Sequence, residues 1–108
     1  MDIEKSKILK ELGGLSEAVY DELVEEFIRT AESRMAELEA AVKVMDFESL
    51  RFLAHFLQGS SGTLRLHAVT PQLQRLEEAS RRRESSEVLT AEAAYRAALA
   101  EVARRSRG

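Results

Sequence analysis

The chain lacks cysteine, and it contains one proline and five glycines among 108 residues. Without cysteine there is no disulfide, no thiol nucleophile and no thiolate metal site, which suits a reducing compartment. Alternating strand-like runs are also missing. The scarcity of proline and glycine, with many Ala, Leu, Glu and Arg residues, favours an all-α fold.

An excess of charge of one sign and long apolar runs are missing too. Sixteen basic residues oppose nineteen acidic ones, for a net charge of −3. Because nucleic-acid binders usually show a basic excess, a nucleic-acid partner is not expected. No run approaches the roughly 20 apolar residues that span a membrane, and the N-terminus lacks the apolar core of a signal peptide. We therefore expect a cytoplasmic protein with no membrane partner.

Apolar residues recur at three- and four-residue steps over most of the chain, the period of helices with one buried face. The pattern predicts a short helix over residues 3–12, which Gly13-Gly14 stops. A long second helix, capped by Ser16, is predicted to run to Met45.

Asp46 is a good N-cap for a third helix, which is predicted over residues 47 to about 64. Thr70-Pro71 opens a fourth helix, and this helix ends at Arg81-Arg82-Arg83, where cations favour the negative end of the helix dipole.

Ser86 or Thr90 opens the last helix, and residues 104–108 are expected to fray. Since short connections make consecutive helices antiparallel neighbours, the predicted fold is an up-down-up-down antiparallel four-helix bundle. A short extra N-terminal helix covers one end. The length predicts a single domain over residues 1–108.

One residue of the third helix, His55, is out of step with its apolar repeat. At ~100° per residue, the apolar set falls within roughly 60° of Leu50, whereas His55 lies roughly 140° away and Gly59 about 180° away. His55 is therefore predicted to face outward. Because helical side chains lean toward the N-terminus, Gly59 leaves the surface beside the imidazole bare. The inward set is Leu50, Leu53, Ala54, Leu57, Ser61 and Leu64.

Phe52, Phe56 and Gly62 share the outer half or flank of the same helix. Exposed aromatic area beside a reactive group is typical of a docking surface. The alternative for the two phenylalanines is burial by the short N-terminal helix.

The chemistry open to a lone outward imidazole is limited. No serine or cysteine nucleophile in a recognisable setting accompanies it, nor does a glycine-rich phosphate loop or a carboxylate pair at a suggestive spacing. His67 is the only other histidine and lies off the same helical row, so a zinc site is not expected. Nucleophilic use of a ring nitrogen remains, and imidazole is a good acceptor of a phosphoryl group.

The sequence around His55 resembles the histidine-containing phosphotransfer (HPt) family of multistep phosphorelays, whose pattern is roughly Ala-His-x-Leu-Lys-Gly-Ser-Ser followed by a later Leu-Glu pair. The resemblance implies that His55 takes a phosphoryl group from the aspartate of a receiver domain and passes it to another. It implies a relay intermediate with no ATP site, no cofactor and no metal of its own, rather than an enzyme. Response-regulator receiver domains and a hybrid histidine kinase are the implied partners, and a monomer is expected. The matching residues are Ala54, His55, Leu57, Gly59, Ser60, Ser61, Leu64, Leu76 and Glu77.

Two positions depart from the family pattern. The lysine three residues after the histidine, thought to interact with the phosphoryl group, is Gln58, which donates a hydrogen bond but carries no charge. Arg51, one turn before His55, is the candidate source of that charge. Arg65 stands where the family often has glycine.

Two other functions remain open from the sequence. A docking module would bind a receiver or kinase through Phe52, His55 and Gly59 without accepting phosphate, and Gln58 favours it. A purely structural helical bundle would carry His55 incidentally.

Overall fold

The computed structural model describes residues 3–108, and this part of the chain contains six α-helices and no strand. The all-α prediction is confirmed. The helices are α1 (Ile3–Glu11), α2 (Glu17–Ser33), α3 (Met35–Val44), α4 (Phe47–Thr63), α5 (Thr70–Arg81) and α6 (Ser85–Arg107).

The helix ends that position α2 and α4 follow from local chemistry. The hydroxyl of Ser16 accepts a hydrogen bond from the backbone N–H of Val19 at 3.2 Å, which caps α2 as predicted. Asp46 caps α4 by accepting from the N–H of Ser49 at 3.2 Å and from its hydroxyl at 2.7 Å. These hydrogen bonds lower the pKa of the Asp46 carboxyl, so the cap is ionised at neutral pH.

The single long helix predicted between Ser16 and Met45 is wrong at its middle. The helix is interrupted at Arg34, which separates α2 from α3. At the last residue of α2, the hydroxyl of Ser33 donates to the carbonyl of Thr30 at 2.7 Å. The backbone N–H of Arg34 is shared between the carbonyls of Thr30 and Ala31, at 3.2 Å each.

The predicted fraying of residues 104–108 is also wrong, because α6 continues to Arg107. The guanidinium of Arg107 donates to Glu25 and Glu32 of α2, with nitrogen–oxygen distances of 2.9 to 3.1 Å. Its hydrogen bonds lower the pKa of both carboxyls. The end of α6 is therefore fastened to α2. At its other end α6 begins at Ser85, slightly before the predicted openers Ser86 and Thr90.

The turn between α4 and α5 contains Arg65 in the left-handed region, with φ of +55°. Glycine takes this conformation without steric cost, which is the physical reason for a glycine at such a position. The side chain of Arg65 donates to the carbonyl of Thr63 at 2.7 Å and lies 3.4 Å from the Glu11 carboxylate. The turn therefore forms with arginine at this position. The next helix, α5, begins at Thr70, one residue before Pro71.

Buried apolar side chains from all six helices form one core cluster. Within it, α4 and α5 are antiparallel, since Thr70 at the start of α5 donates to Ser61 near the end of α4 at 2.8 Å. The phenol of Tyr20 in α2 donates to the carbonyl of Leu64 at 2.5 Å, so the start of α2 lies at the same end of the molecule. The packing of α4 against α2, α3 and α5 leaves one face of α4 uncovered. Among residues 3–108, no helix has the length and apolar character needed to cross a membrane.

Candidate functional site

The inward face of α4 is the one that its period predicts. Leu50, Leu53, Ala54, Leu57 and Ser61 are all buried. Ser61 is fully buried, and its hydroxyl donates to the carbonyl of Gln58 at 3.3 Å while accepting from Thr70. These contacts fix the rotational orientation of α4 about its axis. That orientation determines where its remaining side chains point.

His55 points away from that core, as predicted, and its side chain is 77% exposed. The imidazole Nδ1 lies 3.1 Å from Oε2 of Glu77 in α5. Glu77 is less exposed than its partner, with 29% of its side chain exposed. Nδ1 therefore faces a carboxylate, and the ring belongs to a defined contact between α4 and α5.

Gln58 contacts the same carboxylate. Its side-chain amide donates to Oε1 of Glu77, so the two oxygens of Glu77 bind two residues of α4 that are three positions apart. This arrangement turns the amide of Gln58 toward Glu77. Gln58 thus supports the residue that holds the imidazole.

The glycines that follow His55 leave its surroundings open. A Cβ atom built on Gly59 would meet no atom within 4 Å, and one on Gly62 would meet only the Thr70 methyl group, at 3.9 Å. Neither glycine is required by backbone packing. Because these residues have no side chain, the surface of α4 beside His55 is free of protruding atoms at both positions.

A shallow cavity of about 480 Å³ lies beside the imidazole, between α4 and α5. Its lining includes two carboxylates and two guanidiniums. Arg51 is exposed and lies one turn before His55, as the sequence predicts. In residues 3–108 no group of three or more His, Asp or Glu side chains is arranged to hold a metal ion. The lining residues are Glu48, Arg51, Phe52, His55, Glu77 and Arg81.

Phe52 and Phe56 form an exposed aromatic pair beside this cavity. Their side chains are 65% and 44% exposed, so α1 does not bury them. The rings are nearly parallel, with centroids 6.5 Å apart. The guanidinium of Arg34, at the break between α2 and α3, lies 5.2 Å from the Phe56 centroid.

The chain was compared with models of protein families, with curated proteins and with solved structures. A model of the Hpt domain matches residues 22–105. The chain belongs to the Hpt domain family. No curated protein matches, and no solved structure matches.

Hpt domains are histidine-containing phosphotransfer modules of phosphorelays, where receiver domains are their partners, and they are not classical enzymes. The family model extends over the break at Arg34 and over α4, α5 and most of α6. The resemblance found in the sequence is thus confirmed for the family. The face of α4 that carries His55 is the candidate site of this Hpt domain.

Glu77 contacts the candidate site, and the sequence pattern assigns it no role. Leu76-Glu77 matches the later Leu-Glu pair of the family pattern, which by itself gives no function. Glu77 follows the buried Leu76 and therefore lies on the flank of the buried face of α5. The antiparallel pairing of α4 and α5 brings it to His55, 22 residues earlier. Combining the flank position with that pairing could have found it.

Proposed function

We propose that His55 accepts a phosphoryl group from the aspartate of a receiver domain and passes it to another receiver. The observation that carries this proposal is the exposed imidazole whose Nδ1 contacts Glu77. We assign the proton of the neutral imidazole to Nδ1, because a carboxylate oxygen accepts hydrogen bonds. Nε2 then has a free lone pair, which is the nucleophile that the transfer needs.

The transfer exchanges one bond at phosphorus for another. Nε2 of His55 forms the N–P bond while the bond between phosphorus and the receiver's aspartyl oxygen breaks, and the electron pair leaves with the carboxylate. The ring gains positive charge in this step. The Glu77 carboxylate, 3.1 Å from Nδ1, stabilises that charge by its proximity. Transfer to a second receiver reverses these changes.

Docking of the receiver is the role we assign to Phe52, Phe56 and Gly62. Two stacked aromatic rings on an exposed face supply apolar contact area, and such area is typical of binding surfaces. Gly59 and Gly62 let a partner's backbone approach α4 closely. We further propose a hybrid histidine kinase as a source of the relayed group, a cytoplasmic location and a monomeric state.

Phosphotransfer from a radiolabelled, phosphorylated receiver tests the proposal. Wild-type protein is expected to acquire acid-labile label, and His55→Gln is expected to acquire none. His67→Gln is the matched control, because His67 is also exposed but lies in the turn after α4. Acid-labile label on the His55→Gln protein would overturn the assignment.

The same experiment separates the second candidate, a docking module that binds without accepting phosphate. The exposed Phe52–Phe56 pair favours this candidate as much as the first. Co-migration of a phosphorylated receiver with the wild-type chain, with all label left on the receiver, would select the docking module.

A further inference from the structure

The charged residues on the far side of His55 from Gln58 form a group that the proposed function leaves unused. Arg51 lies four residues before His55 in α4, and Arg81 lies four residues after Glu77 in α5. Because α4 and α5 are antiparallel, these one-turn steps place both guanidiniums on the same side of the imidazole. Both line the cavity beside it.

Arg51 differs from every other arginine of the chain. All twelve lie in residues 3–108, and eleven have a side-chain ion pair, hydrogen bond or aromatic contact there; the side chain of Arg51 has none. Arg75, for example, binds Gln72 at 3.1 Å. An unpaired guanidinium keeps all its donors for a ligand, and its planar fork suits phosphate oxygens.

Arg81 already has one ion-pair partner, but that pair lies on the surface. It binds both carboxylate oxygens of Glu78, at 3.0 and 2.5 Å, and it is exposed. Exposed pairs of this kind hold their geometry weakly. Arg81 can therefore turn toward an anion in the cavity.

The charge balance of the cavity explains why such cations are needed. A phosphoryl group on Nε2 of His55 brings up to two negative charges next to Glu48 and Glu77, which also line the cavity. Like charges at this range repel. Gln58 offers no compensating charge, and its amide is already bound to Glu77. The two arginines are the cations that line the cavity.

We infer that Arg51 and Arg81 form an anion subsite that binds the phosphoryl oxygens when the group is on Nε2 of His55, with Arg51 the principal ligand. The inference rests on the proposed function, since it needs His55 to carry the phosphoryl group. No bond at either arginine is made or broken. The subsite places the positive charge on the N-terminal side of the imidazole, opposite Gln58.

Phosphoramidate, a small phosphodonor with no protein surface, tests the subsite separately from docking. In this reaction the N–P bond of the donor breaks, the Nε2–P bond forms and ammonia leaves. Arg51→Gln is expected to lower the loading rate of His55 about tenfold, the effect of one lost charge-assisted hydrogen bond. Arg51→Lys is expected to recover part of this loss, and Arg81→Gln to show a smaller decrease.

Arg75→Gln is the matched control, an exposed arginine of α5 that does not line the cavity, and it should load like wild type. Circular dichroism and thermal melting show whether each variant is folded. Loading of Arg51→Gln at the wild-type rate would overturn the subsite and leave the proposed function standing. If wild-type protein acquired phosphate from neither phosphoramidate nor a receiver, both the subsite and the proposed function would be overturned.

Discussion

The two faces of α4 differ in almost every physical property. Leu50, Leu53 and Leu57 on the inner face are 0 to 3% exposed, whereas Phe52 on the outer face is 65% exposed and the His55 side chain 77%. Neighbouring residues of one helix thus belong to different environments. The inner face holds the fold, and the outer face carries the residues that we propose meet a partner. Substitutions on the two faces should therefore give effects of different kinds.

The largest expected effect is on the inner face. Leu53→Ala removes a side chain that is 1% exposed and should lower the free energy of unfolding by about 2–5 kcal/mol. Urea unfolding followed by circular dichroism measures it. The folded fraction should still load phosphate at His55 normally. A Leu53→Ala protein with wild-type stability would break the comparison.

An intermediate effect is expected on the outer face, where Phe52→Ala should weaken receiver binding about tenfold, the loss typical of an aromatic anchor. Its stability should stay close to wild type, because the ring is mostly in water. Calorimetric titration with a receiver measures the affinity. Leu89→Ala, which changes an apolar residue of α6 that is 50% exposed, is the control and should bind normally. Equal losses in both variants would refute a localised docking surface.

The smallest effect concerns Gly59. Because a Cβ at this position meets no atom within 4 Å, Gly59→Ala should raise the free energy of unfolding by about 0.5–1 kcal/mol through helix propensity alone. Thermal or urea unfolding measures the gain. Gly59→Gln should also fold well but should slow transfer to His55, because the longer side chain leans over the imidazole. Equal transfer rates in the two variants would show that the glycine does not clear the surface.

The sequence predicts those parts of the molecule that a single helical period determines. The inner set of α4, the outward direction of His55 and the caps at Ser16 and Asp46 all depend on residues within a turn or two of one another. Their physical causes are local, so they can be predicted without knowing which helices pack against one another.

The features that were missed depend on partners or on backbone detail. Glu77 contacts a histidine 22 residues earlier, and apolar periodicity continues through the break at Arg34, so it does not register that break. The unpaired state of Arg51 is likewise visible only when the surroundings of all the arginines are known. The sequence pattern therefore locates the candidate face and names Arg51 and Gln58 on it, but it does not assign Glu77 or show that Arg51 is unpaired.

The ion pairs of Arg107 with the carboxylates of Glu25 and Glu32, here called the clasp, also have a kinetic consequence. These contacts join residues 75 and 82 positions apart in the chain. Contacts between such distant residues require most of the chain to be ordered first. The clasp should then form after the folding transition state, so that it slows unfolding more than it speeds folding. In that case it lengthens the lifetime of the folded domain and leaves the rate at which the domain assembles nearly unchanged.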